Sequence, residues 1–400
     1  MVLKILAIGD VGNYIKTLSK FTKKSKIHII NFPKDGAGIY TYDKDVELFE
    51  SYKVTKQIKK INKIKDQYDL CIVMGTGERI AYLSDLNYIA YYVGRDVDAP
   101  RFVKNSKEEW NEEPLHTLNI FERLFYKLAF KNAVAHVASL WVFDHLRKFT
   151  KNGIRMDRKA IDPTIFKDDE KTLEKKKEKF TFFCPQRIER FKGTDLLWNA
   201  LSLCKADFEI HQVEWFGETN EEEKEFKKKM LANVPPQIKF IPMIKRKEMR
   251  RYYDFVDAVI GNMYLGFYEY VEIEGVFCKK PVINYANPNK KILLNDKFVD
   301  SPFLPHTNDP KSIAEIIDKI VSSEEFRNKL LGEENKFASE VSDPQKSADW
   351  WDNLFIKVHN QHEGIRKNSS FINQKLRIIL FLIANRLYLK KIKKIKLSSF

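Results

Sequence analysis

Long apolar runs are missing from this chain of 400 residues: no stretch approaches the roughly 20 apolar residues that cross a bilayer as a helix. The N-terminal run Leu3–Ile8 is short, ends in Gly9-Asp10 and has no small-residue cleavage site, so it reads as a buried first strand rather than a signal peptide. Cysteine is scarce too. Cys71, Cys184, Cys204 and Cys278 each sit in or beside an apolar run, and none forms a Cys-x-x-Cys pair. That pattern excludes a disulfide framework and a thiolate zinc site, leaving reduced core thiols in a cytosolic protein. Acids are absent from Arg366 to Phe400, a segment that holds ten Lys or Arg. The net charge of +15 therefore belongs mainly to this tail. The remainder is mildly basic, which suits an anionic small molecule and does not call for nucleic acid.

What is present is an alternation of strand-like and helix-like segments. Leu70–Met74 and Tyr88–Val93 are apolar throughout, and Leu3–Ile8 is apolar but for Lys4, as strands buried on both faces are; Ile27–Asn31 reads as another. Three of them end in glycine-bearing loops: Gly9-Asp10-Val11-Gly12-Asn13, Gly75-Thr76-Gly77 and Gly94-Arg95-Asp96. Such loops mark an open parallel sheet with a ligand crevice at the carboxyl ends of its strands. The charged stretch from Phe166 to Lys179 has a linker composition, and a second alternating set follows it. Its strands are expected at Phe180–Cys184, Glu209–Phe216, Ile238–Pro242, Ala258–Gly261 and Pro281–Tyr285, and an amphipathic helix at Ser347–His359. The expected domains are 1–168 and 179–345, followed by a crossover helix over 346–362 and a basic amphipathic tail over 366–400.

Two segments carry chemistry. In Cys184-Pro185-Gln186-Arg187-Ile188-Glu189-Arg190-Phe191-Lys192-Gly193-Thr194-Asp195 a buried strand delivers Arg187 to a loop, and Lys192-Gly193 opens a helix. Two cations beside a helix N-terminus suit a diphosphate, whose charge grows as it leaves a sugar; two ordinary surface charges are the equal alternative. In the second segment the glycine-aromatic loop Gly266-Phe267-Tyr268 precedes a helix carrying Glu274. A carboxylate there can accept from both hydroxyls of a ribose. Glu269 and Glu272 read as acids on the helix surface.

Together these segments resemble the retaining GT-B glycosyltransferases of the family 4 type. The resemblance rests on Ile161-Asp162-Pro163-Thr164-Ile165-Phe166, on Arg187…Lys192-Gly193-x-Asp195, and on Glu274-Gly275-Val276-Phe277-Cys278-Lys279-Lys280-Pro281-Val282-Ile283, in that order. It implies an α/β fold of two Rossmann-like domains, with parallel sheets facing across a cleft, plus the basic helical tail. By the same resemblance Arg187 and Lys192 bind the donor diphosphate and Glu274 the ribose, while Gly12 brings backbone near the diphosphate. Asp96 falls where relatives carry a Gly-x-Asp before the acceptor site, and either orients the acceptor hydroxyl or caps a helix. The family usually has a glutamate eight positions before Glu274; this chain has Gly266 there. Relatives with a Gly-aromatic-Tyr variant are known, and here the backbone amides of Gly266-Phe267-Tyr268 are expected to meet the sugar or phosphate. The resemblance implies no cofactor and no metal.

The tail reads Leu376-Arg377-Ile378-Ile379-Leu380-Phe381-Leu382-Ile383-Ala384-Asn385-Arg386, with five lysines between Lys390 and Lys396. It is too short in apolar residues to span a bilayer, and it suits an anionic membrane surface contacted through 373–400. A helix docked on the protein body is the alternative. The function expected is sugar transfer from a nucleotide-sugar donor to a carbohydrate or lipid-linked hydroxyl, in the cytoplasm at the inner face of the membrane. A non-catalytic nucleotide-sugar binder and a sugar-phosphate synthase or phosphorylase are the other readings that the same segments admit.

Overall fold

The computed structural model describes residues 2–32, 46–107, 118–166, 179–217, 221–245, 248–362 and 371–398. Most of the charged stretch expected as a linker lies outside the described residues. The chain divides into two compact units, one made of Met1–Met156 with Pro344–Phe400, the other of Asp157–Asp343.

The first unit begins with β1 (Leu3–Ile8), α1 (Tyr14–Ser19), β2 (Ser25–Asn31), β3 (Glu47–Leu48), α2 (Val54–Ile64), β4 (Leu70–Val73) and α3 (Gly77–Leu83). It continues with β5 (Tyr88–Tyr92), α4 (Arg95–Asp98), α5 (Ile120–Asn132), β6 (Ala135–Ala138), α6 (Leu140–Leu146) and β7 (Gly153–Arg155). The strands form one parallel sheet in the order β3-β2-β1-β4-β5-β6-β7. Burial on both faces explains the apolar runs: every residue of β4 and β5 is buried. Helices cover the sheet through Ile61, Ile80 and Phe125. Asn119 starts α5 with a reciprocal capping box to Glu122, which satisfies two orphan amides of the first turn.

The second unit runs β8 (Phe180–Cys184), α7 (Thr194–Leu201), β9 (Phe208–Val213), α8 (Glu221–Leu231), β10 (Ile238–Ile241), α9 (Met249–Phe255), β11 (Ala258–Ile260), α10 (Tyr270–Phe277) and β12 (Val282–Ile283). A small antiparallel hairpin, β13 (Ile292–Leu294) and β14 (Lys297–Val299), then precedes α11 (Pro310–Ser322) and α12 (Glu324–Val341). The sheet is parallel in the order β10-β9-β8-β11-β12. β9 ends at Val213, earlier than the sequence suggests, because Trp215 N–H turns back to Val213 O at 2.8 Å; pairing resumes only as an isolated bridge between Ile188 and Phe216.

In both sheets the chain first builds outward on one side of its opening strand and then crosses to the other. The crossover lies between β1 and β4 in the first sheet and between β8 and β11 in the second. Such a switch point opens a crevice at the carboxyl ends of the two strands.

Two last helices, α13 (Pro344–His362) and α14 (Phe371–Ser398), return to the first unit. Buried Trp351 on α13 donates to Tyr14 Oη at 2.9 Å, and Asp352 accepts from the Lys23 and Lys24 amides, each at 2.8 Å.

The first switch point is held by a backbone approach that only glycine permits. A Cβ on Gly77 would stand 1.9 Å from the carbonyl oxygen of Ile8, whereas one on Gly75 (φ +54°) would meet nothing within 4 Å. Gly77→Ala is expected to cost about 3 kcal/mol through forced backbone movement. Gly75→Ala should cost only about 1 kcal/mol, from its left-handed conformation. Thermal denaturation of the two variants checks this, and equal losses would contradict it.

Candidate functional site

At the second switch point β8 ends at Cys184 and delivers Arg187, while β11 ends at Ile260 and opens the loop from Gly261 to Glu269. The chain at Arg190–Lys192 makes one tight turn, and Gly193 (φ +68°) starts α7. A Cβ on Gly193 would lie 2.8–2.9 Å from backbone atoms of Met263 and Tyr264. The two loops therefore touch main chain to main chain, and Met263 N–H donates to Lys192 O at 3.0 Å.

Fully buried Asn262 fastens this junction. Its Nδ2 donates to Phe191 O (3.1 Å) and to Glu269 Oε2 (3.2 Å), and its Oδ1 accepts from the amides of Tyr264 (2.8 Å) and Leu265 (2.9 Å). Across the junction Lys192 Nζ pairs with Glu269 Oε2 at 2.5 Å. Arg187 is half-buried, pairs with Glu189 Oε1 at 3.0 Å and lies over the Trp215 ring. Both cations expected at a diphosphate thus hold carboxylate partners at the mouth of the crevice, which keeps their charges satisfied.

Glu269 and Glu272 are not acids of the helix surface, contrary to the sequence reading. They close a capping box at the start of α10, with the Glu269 amide donating to Glu272 Oε2 at 2.6 Å. Glu272 is buried, and its Oε1 accepts from Asn262 N–H at 3.1 Å and Gln186 Nε2 at 3.4 Å. A Cβ on Gly261 would meet this Oε1 at 2.1 Å, so the glycine leaves room for the acid. Burial, then the neighbouring Glu269 charge, raises the pKa of Glu272. Burial alone would raise Glu269 as well, but Lys192 and Lys159 hold it below its ordinary value. Lys159 donates to Tyr268 O at 3.1 Å, and burial brings its pKa down to about 8.

Gly266 has φ +73°, and a Cβ there would stand 2.6 Å from Asn287 Cβ. The position has no room for the glutamate that the family pattern puts at it. Phe267 and Tyr268 turn their rings into the core; Tyr268 Oη donates to Asp157 O at 2.6 Å. The loop therefore offers a ligand its backbone, with those aromatic rings as anchors beneath. Glu274 stands farther along α10, buried, and accepts from Tyr253 Oη at 3.1 Å.

In the first unit, Asp10 accepts from the amides of Ile15 (2.9 Å) and Lys16 (3.0 Å) and so ties the Gly9–Asn13 loop to α1; Gly12 (φ +70°) makes its turn. Asp96 is in the first turn of α4, and buried Asp98 faces His145 at 3.2 Å. Beside Asp96 runs a hydrogen-bonded chain that sequence reading missed: Glu78 Oε1 to Tyr92 Oη (3.2 Å) and Tyr92 Oη to His136 Nδ1 (3.1 Å). Burial, then the Asp96 charge, pushes Glu78 up to about 8, and burial brings His136 down to about 4.

A carboxyl group whose pKa is raised by folding keeps its proton in the folded state while the unfolded chain loses it. Its contribution to stability is thus fully present below pH 4.5 and is lost as pH rises towards about 8. Wild type should lose thermal stability relative to Glu78→Gln as pH rises through that window. Parallel melting-temperature profiles for the two proteins would show that Glu78 carries no such shift.

Residues 165–336 match the family model described as glycosyl transferases group 1, a span that takes in most of the second unit. No curated protein matches the chain in sequence. Solved structures resemble it over both units and share its GT-B fold. Anabaena HepE in complex with UDP-glucose is 15% identical, with 87% of this chain and 98% of that one covered and a TM-score of 0.59. Sucrose-phosphate synthase from Thermosynechococcus elongatus is 14% identical over 89% and 100%, with a TM-score of 0.63. A glycosyltransferase from Rickettsia africae is 16% identical over 92% and 100%, with a TM-score of 0.55.

Proposed function

We propose that this chain transfers a sugar from a nucleoside-diphosphate donor to a hydroxyl of a carbohydrate or lipid-linked acceptor, with retention at the anomeric carbon. The observation that carries the reading is the Lys192–Gly193 turn, locked against the loop after β11 with Arg187 beside it. The family match over the second unit and the UDP-glucose held by Anabaena HepE support it.

The chemistry follows from charge. As the bond between sugar and diphosphate breaks, negative charge gathers on the leaving phosphate. Lys192, Arg187 and the N-terminus of α7 are fixed before the reaction starts, so they stabilise that charge with little reorganisation. Lys192 exchanges its carboxylate partner for a phosphate oxygen, and the released Glu269 accepts a hydrogen bond from a sugar hydroxyl. In this way Glu269 supplies the carboxylate that Gly266 has no room to carry. Glu274 takes the ribose hydroxyls, with Tyr253 as the partner it gives up. Asp96, with Glu78 near it, orients the acceptor hydroxyl. We place the transfer on the cytoplasmic side of an anionic membrane reached through 373–400. The fixed cations do the work that a metal does elsewhere, so transfer should persist in EDTA.

Removing one preorganised partner of a leaving group typically costs about 100–1,000-fold in rate. Arg187→Ala and Lys192→Ala are each expected to lower donor turnover by about that factor, measured by nucleotide release from UDP-glucose and other nucleotide sugars. Glu269→Gln should lose sugar transfer and lower the melting temperature: glutamine still accepts the capping hydrogen bond, but Lys192 loses its ion pair. Near-normal turnover in the lysine and arginine variants would sink the assignment.

A further inference from the structure

The tail is not a free segment along its described side chains. Phe381 packs on Phe125 of α5 with ring centroids 5.2 Å apart, and Asn119 Nδ2 donates to Ala384 O at 3.4 Å. Arg377 reaches Asp85 at 2.6 Å, the Tyr82 carbonyl at 3.1 Å and, at the far end of α5, Asn132 at 3.4 Å. These contacts make α14 an antiparallel neighbour of α5. The sequence left open whether the tail docks on the body or meets a membrane, and its buried face does the first.

The outer faces of both helices are apolar. Ile120 (66% exposed), Phe121 and Leu124 face solvent on α5, and Leu376 (58%), Ile379 and Ile383 do so on α14. On a helix packed against a soluble protein those positions are normally polar. The two helices themselves carry exposed charge of one sign. α14 contains no acid, and the one acid of α5, Glu122, is buried in its capping box. Lys127 and Lys131 are exposed on α5, and α14 continues into Arg386 and the five lysines between Lys390 and Lys396.

Direction matters as well. α5 ends two residues before Val134, whose amide donates to Tyr88 O at the start of β5. The first turn of α5 therefore lies towards the carboxyl edge of the sheet, where α4 and Asp96 stand. Because α14 runs the opposite way, its part beyond Ala384 continues past that edge, for about 20 Å at 1.5 Å per residue.

We propose that α5 and α14 together form one docking face for an anionic lipid bilayer, and that this face holds the carboxyl edge of the first sheet against the headgroups. Apolar side chains from both helices enter the interface, and the cations meet lipid phosphates. The proposal rests on the membrane placement given above and extends it to α5, which precedes the tail by some 240 residues.

Co-sedimentation of the full chain with vesicles tests it, comparing phosphatidylcholine alone with equal parts phosphatidylcholine and phosphatidylglycerol. Wild type should bind the anionic vesicles and not the neutral ones. The double variant Phe121→Ser/Leu124→Ser keeps the tail intact and changes only exposed positions. It should bind at least tenfold more weakly while its melting temperature and its donor turnover in solution stay at wild-type values. Ile379→Ser/Ile383→Ser should behave alike, and Lys393→Glu/Lys394→Glu should remove the preference for anionic lipid. Wild-type binding by the α5 double variant would overturn the two-helix face while sparing a tail-only membrane contact; absence of binding by wild type would overturn both. Self-association of wild type that the α5 variant abolishes, without vesicle binding, would assign the face to a second copy instead. None of these outcomes bears on donor turnover, so the transferase reading stands or falls separately.

Discussion

The contact on which the second unit depends is the one between the Lys192–Gly193 turn and the backbone of Met263 and Tyr264. Main chain meets main chain there at a distance that no side chain on residue 193 allows. Everything chemically distinctive about the site follows from that approach. It sets Lys192 beside Glu269, lets Asn262 bond to both loops at once, and starts α7 with its amides turned to the crevice. A cation pair assembled this way faces a cost, since unpaired charge at a half-buried position is unstable. The carboxylates of Glu189 and Glu269 remove that cost, leaving a site whose cations are already oriented.

The acids beside the site make one layered device. Glu272 lies beneath, buried, taking the amides of Asn262 and Glu269. Glu269 lies above it on the lysine. Burial, and then repulsion by Glu269, raise the deeper acid, while two lysines hold the upper one ionised. The upper acid is thus a charged acceptor at the one place where a hydroxyl-rich ligand would meet a diphosphate. Gly266 then has a physical explanation: its left-handed backbone and its closeness to Asn287 leave that position no room for a side chain.

Much of this was legible in the sequence. Strands buried on both faces announce themselves as short apolar runs, and Leu70–Val73 or Tyr88–Tyr92 needed nothing else. Arg187 and Lys192-Gly193 were legible because strand end, cation and glycine follow one another closely. Glu269 and Glu272 were not: acids in the first turn of a helix look like surface acids, and only the fold shows that this turn is pressed against two other loops. Asn262 gave one faint signal, its place directly after a strand and a glycine. The Glu78–Tyr92–His136 chain joins three segments that no local pattern links. The tail was legible as a cationic apolar helix, but its apolar residues surround it on all sides, so its buried face depended on Phe125 and Asn119, about 260 residues away.

The central claim is that Lys192 holds Glu269 in place of a diphosphate and exchanges one for the other. The most direct test is calorimetric titration of UDP, which carries the diphosphate but no sugar, into wild type and Glu269→Gln. Freed from its competitor, Lys192 in the variant should bind UDP at least as tightly as in wild type. Binding weaker by about tenfold or more, about 1.4 kcal/mol, would mean that Glu269 supports the nucleotide rather than standing in for it, and would contradict the exchange.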